Sequence, residues 1–158
     1  MVNSKYDSIC VTAKELFWKH GFKRVSVDEI CKKSNVSKMT FYKYFPNKLE
    51  LAKTIFSNVV EDGINRFREI MKEECTPAEK IKKLLLMKVE STNDISPEFM
   101  QDFYVGREPE LKGFVEEKTH QAWDILIHDY KKAQQEGIFR KDFDPRLLIK
   151  VQYKLSIY

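Results

Sequence analysis

The chain has 158 residues, 42% hydrophobic and 33% charged, with five glycines, five prolines and a net charge of +4. That length suits one ordinary domain or a small domain joined to a larger one, and the composition excludes a disordered or low-complexity chain. No stretch nears the roughly 18–20 apolar residues that span a bilayer and the opening MVNSKYDSIC has no apolar signal core, so a cytoplasmic protein is expected.

Apolar residues recur at three- and four-residue spacing throughout, which predicts an all-α fold. The first helix covers residues 4–20, with Ile9, Ala13, Leu16 and Phe17 on one stripe and Gly21 as its stop. Ser26-Val-Asp-Glu29 reads as a capping box opening a short helix to about Ser34, and Asn35 suits the turn that follows. Ser37 caps a third short helix that ends near Tyr44, because Pro46 biases Phe45 away from helical geometry. Asn47-Lys-Leu-Glu50 opens a long helix with Ala52, Ile55, Phe56, Val59, Phe67 and Ile70 inward. Thr76-Pro-Ala-Glu79 starts a fifth helix and Ser96-Pro97 a sixth. The longest runs from about Glu108 to Glu136 and stops at Gly137; Asp144-Pro145 opens the last. There Leu148, Val151, Leu155 and Tyr158 fall at the 3-4-3 spacing of a helix-packing seam.

Charge is unevenly divided along the chain. Residues 1–51 hold ten Lys and Arg against five acids, a surplus of five, whereas the rest hold 18 against 19. A basic head on a near-neutral body is the footprint of a protein whose head meets a polyanion. The head also carries the informative segment, residues 25–44, VSVDEICKKSNVSKMTFYKY, two short helices around a tight turn. Lys38, Thr40, Tyr42, Lys43 and Tyr44 crowd the second of these, polar and aromatic groups able to reach base edges and phosphates in a major groove. Ser26 and Ser37 begin helices, whose free N–H groups suit phosphate.

Over about residues 9–51 the sequence resembles the tetracycline-repressor (TetR/AcrR-like) transcriptional regulators. The resemblance rests on Ala13, Leu16, Phe17, Gly21, Phe22, Ser26, Val27, Ile30, Val36, Ser37, Thr40, Phe41, Tyr42, Tyr44, Phe45, Lys48 and Leu51, in the family's order and spacing. It implies a helix-turn-helix DNA-binding domain at residues 1–46 and a helical regulatory and dimerisation domain at 47–158. By position, Lys38, Thr40 and Lys43 become candidates for base or near-base contacts. Tyr42, Tyr44 and Lys48 become candidate phosphate contacts, assisted by Ser26 and Ser37, while Phe41 and Phe45 are core. Met39 stands where the family favours small residues and offers an apolar contact to a thymine methyl. Cys31 and Ser34 replace common alanines, and Asn35 replaces glycine.

The resemblance further implies a homodimer on double-stranded operator DNA, a small-molecule inducer held in the body, and a second dimer helix after Tyr158. Residues available to line such a cavity are Met87, Phe99, Met100, Phe103, Tyr104, Phe114, Trp123 and Ile127, an apolar and aromatic set that equally suits plain core. Leu148, Val151, Leu155 and Tyr158 would serve the dimer. No phosphate loop, nucleophile elbow or H-E-x-x-H motif points to an enzyme, and no cofactor motif is present. The three cysteines, Cys10, Cys31 and Cys75, lack disulfide-framework or zinc spacing. His120, Asp124 and His128 share a helical face but read as solvated rather than as a metal site. The alternative function is a helical protein-interaction module without specific DNA binding.

Overall fold

The computed structural model describes residues 4–106 and 108–154, and among these every regular element is helical. The order is α1 (Lys5–His20), α2 (Val27–Lys33), α3 (Lys38–Tyr44), α4 (Lys48–Lys72), α5 (Pro77–Glu90), α6 (Pro97–Met100) running into a π-helical turn (Gln101–Val105), α7 (Pro109–Gln135) and α8 (Pro145–Lys154). Boundaries follow local chemistry. The hydroxyls of Ser4, Ser26, Ser37, Thr76 and Ser96 each accept the backbone N–H three residues on. Asn47 Oδ1 does the same for Glu50 N at 2.9 Å. Thr76 and Glu79 form the full reciprocal capping box, whereas Glu29 turns instead toward Lys33, 3.5 Å away. Phe45 is extended at φ −132°, as the following proline demands. Asn35 takes the left-handed turn between α2 and α3 at φ 54°.

The chain divides into two compact units, one of residues up to Val59 together with Asp94–Glu117, the other of Val60–Asn93 together with residues from Lys118 on. In the first, α1 packs on α2 and α3 through Ile9, Ala13, Leu16, Ile30 and Phe41, all buried. α6 and its π turn close the other side of α1. Ser96 N donates to Trp18 O at 2.9 Å, and Lys23 N donates to Asp102 Oδ2 at 2.9 Å. Asp102 is only 3% exposed, and its other oxygen has no hydrogen-bond partner. Phe99 and Phe103 stack at 4.2 Å between ring centroids and meet Phe17, Trp18, Phe22 and Phe56.

The second unit is built on Phe67, Leu84, Tyr130, Ala133, Phe139 and Ile149. Lys80 buries its stem there, and its ammonium donates to the carbonyls of Ile70, Met71 and Glu73, satisfying the last turn of α4. Gln134 Nε2 ties down the turn before α8 by donating to Arg140 O and Phe143 O, each at 2.9 Å. Among the described residues no helix is long and apolar enough to cross a membrane.

Candidate nucleic-acid interface

α3 is a seven-residue helix with two faces. Phe41 and, just past the helix, Phe45 are buried, and Tyr6 of α1 stacks on Phe45 at 5.3 Å. Ser8 Oγ donates to Ser34 O at 3.0 Å, fixing the end of α2 against α1. These contacts hold α3 so that Met39, Tyr42, Lys43 and Tyr44 face outward, all of them exposed. Tyr44 packs its ring edge on Tyr6 at 5.7 Å and Tyr42 on Phe41 at 5.2 Å, so the two phenols stand on supported rings. Supported aromatics lose little conformational freedom when a phosphate arrives.

The remaining sequence candidates have partners within the fold. Ser26 Oγ accepts from Glu29 N and Ser37 Oγ from Thr40 N, each at 3.1 Å, and Thr40 Oγ1 lies 3.0 Å from Ser37 Oγ. Both serines therefore serve as caps, and Thr40 is half-buried beside one of them. Lys38 pairs with Asp28 of α2 at 2.6 Å, both side chains well exposed. That pairing holds the Lys38 pKa above the ordinary lysine range, first through the hydrogen bond and then through the carboxylate charge. Sequence spacing gave no sign of this pair, since ten residues and a turn separate the partners.

Lys48 is more deeply committed. Its ammonium donates to Phe22 O and Val25 O, each at 2.8 Å, and sits 4.2 Å from the Phe22 ring centroid. Burial lowers its pKa, opposed by the charges of Asp102 and Glu108. Two of its three donors thus hold the loop between α1 and α2, leaving one for a phosphate. Lys48→Ala should lower stability by about 2 kcal/mol or more, because it orphans two half-buried carbonyls that accept from a charged donor. Calorimetric melting checks this: an unchanged melt with a flattened salt dependence of DNA binding would make Lys48 a phosphate contact alone.

Sequence candidates in the body fall into both units. Phe99 and Phe103 are 1% and 0% exposed within the ring cluster of the first unit, and Met100, Tyr104 and Phe114 are half-buried there. Met87, Trp123 and Ile127 pack against the core of the second unit. On α8, Ile149 is buried in that core and Leu148 packs beside it, while Leu147 and Val151 are 66% and 45% exposed. Leu155 and Tyr158 lie outside the described residues. His120, Asp124 and His128 are exposed, and His120 packs on Trp123 at 5.5 Å. Among the described residues no group of His, Cys, Asp or Glu is arranged to hold a metal ion. Burial pushes the Cys10 thiol up to about 11, so it stays neutral at physiological pH.

Residues 9–55 match the sequence model of bacterial regulatory proteins, tetR family. The fatty acid metabolism regulator protein of Bacillus subtilis is 32% identical over 77 residues, 49% of this chain and 40% of the relative. The aligned region thus spans less than half of that relative. The HTH-type transcriptional regulator YhgD of the same organism is 26% identical over 155 residues, 94% of this chain and 78% of the relative. Among solved structures, the transcriptional regulator FadR from Bacillus subtilis in complex with stearoyl-CoA superposes with a TM-score of 0.70 at 22% identity. That match covers 96% of this chain and 83% of FadR, a likeness of fold.

Proposed function

Because residues 9–55 match the sequence model of the tetR family of bacterial regulatory proteins, we propose that this chain is a transcriptional repressor of that family that binds a pseudo-palindromic operator as a homodimer. The observation that carries the reading is the two-faced α3, locked to α1 and α2 by Phe41 and Phe45 and turned outward with Met39, Tyr42, Lys43 and Tyr44. Such a helix suits a major groove, with Tyr42, Tyr44 and the free donor of Lys48 on phosphates and Thr40 and Lys43 nearer the bases. Residues 1–46 act as the reading head and 47–158 as the regulatory and dimerising body. Leu147 and Val151, exposed on α8, support self-association through that helix.

The inducer is a mostly apolar small molecule, and a long-chain acyl-CoA is the first candidate because FadR is described in complex with stearoyl-CoA. Apolar and aromatic side chains at Met87, Met100, Tyr104, Phe114, Trp123 and Ile127, all half-buried, support a body that can adapt to such a chain.

Selection of bound sequences from random duplex DNA tests the reading. It should yield a symmetric motif with half-sites about 10 base pairs apart, as a two-fold dimer requires. No enrichment would overturn it in favour of a helical interaction module. Stearoyl-CoA should bind the operator complex more weakly than the free protein, by the same factor by which it weakens operator binding. Equal affinity in both states would overturn the choice of inducer.

A further inference from the structure

Met39 is 86% exposed, more than any other large hydrophobic residue among those described. Isolated exposed apolar residues are ordinary and need no explanation. This one lies on the face of α3 that also carries Tyr42 and Lys43, three and four residues on, so a groove that receives those groups must receive Met39 as well. Its neighbour Lys38 is the more obvious reader of bases by residue type, yet it pairs with Asp28 at 2.6 Å. An exposed ion pair is weak and can open. Opening it toward DNA, however, leaves the Asp28 carboxylate unneutralised beside a polyanion, so the contact gains little. Lys43 has no ion-pair partner among the described residues and keeps its charge for the duplex.

We propose that Met39 is the specificity-determining residue of the recognition helix, reading a thymine 5-methyl group by apolar contact, with Lys38 held from base readout by Asp28. The inference rests on the DNA-binding reading above. In the major groove the 5-methyl is what thymine presents beyond the oxygen acceptor, and of the exposed side chains of α3 Met39 offers it the most exposed apolar surface, since the rings of Tyr42 and Tyr44 pack on Phe41 and Tyr6. A flexible, polarisable thioether side chain adapts to the position of a methyl group without fixed hydrogen-bond geometry.

The test is a methyl scan of the selected operator, each thymine replaced in turn by deoxyuracil, with affinities measured for the wild type, Met39→Ala and Lys38→Ala. Met39 is exposed enough for its truncation to leave the fold intact, and circular dichroism verifies this. One thymine per half-site should show a loss of about four-fold for the wild type when its methyl is removed, the worth of one buried methyl group. Met39→Ala should show no further loss at that position, while Lys38→Ala should keep the wild-type preference. Asp28→Asn should tighten binding to all duplexes and steepen the salt dependence by about one unit per half-site. A specific operator with no Met39-dependent methyl position, or a preference altered by Lys38→Ala and not by Met39→Ala, overturns this inference alone. Failure to select any operator overturns it together with the DNA-binding reading.

Discussion

Phe103→Ala is expected to cost about 3–5 kcal/mol, the range for truncating a fully buried phenylalanine. Phe103 is 0% exposed and its ring lies 4.2 Å from Phe99, 6.2 Å from Phe56 and 6.4 Å from both Phe17 and Phe22. Those rings come from α1, the loop after it, α4 and α6, so a cavity at Phe103 loosens every element that meets the end of α1. Neighbouring rings are too large and too constrained to collapse into the gap without leaving their rotamers. For a chain of this size the loss lowers the melting temperature by roughly 10 °C or more. Phe103→Leu, which refills most of the volume, should recover more than half of it. Since α1 also supports α2 and α3, operator affinity should fall with stability and return with the leucine variant. A melting shift of only a degree or two for Phe103→Ala would mean that the ring lines a space able to close, as an inducer cavity would.

The contrast between what the sequence reveals and what it hides is one of range. Ser26, Ser37, Thr76 and Ser96 announce helix starts because the hydroxyl and the N–H it caps are three residues apart, and Pro46 acts on its immediate neighbour. The same locality made α3 legible as a short helix with two faces, since its inward and outward residues alternate within seven positions. Asp102 shows the opposite case. Its partner is the backbone N–H of Lys23, 79 residues away, a group every non-proline residue carries and no sequence pattern can single out. Lys48 likewise donates to two backbone carbonyls, Phe22 O and Val25 O, more than twenty residues away, a loop-holding role that no local pattern announces. The helix begun by Ser96-Pro97 was visible, but not its conversion after four residues into a π turn that brings Asp102 and Phe103 to the end of α1. That turn answers to packing against α1, and packing partners distant in sequence leave no local signature.

Gly21→Ala should cost about 3 kcal/mol or more, through two separable effects. Gly21 adopts φ 78° and ψ 168°, a region essentially closed to residues with a Cβ, where strain amounts to about 1–3 kcal/mol. A methyl group there would also stand 2.7 Å from Asp102 Oδ2, 3.0 Å from Glu98 Cβ and 3.1 Å from the Glu98 carbonyl carbon. Backbone cannot swing aside as a side chain does, so α6 must lift from α1. Lifting it pulls the Asp102 carboxylate from Lys23 N and strands a part-buried donor, at about 1–3 kcal/mol. Gly137→Ala separates the effects, because Gly137 has nearly the same φ, 79°, but nothing within 4 Å of the added Cβ. Its cost should stay near the 1–2 kcal/mol of left-handed strain. Combining Gly21→Ala with Asp102→Ala should cost less than the sum of the two alone, since the second removes one of the atoms the first collides with. Equal melting shifts for Gly21→Ala and Gly137→Ala, with additive behaviour in the double variant, would show that α6 yields freely and that the close approach at Gly21 does not hold it to α1.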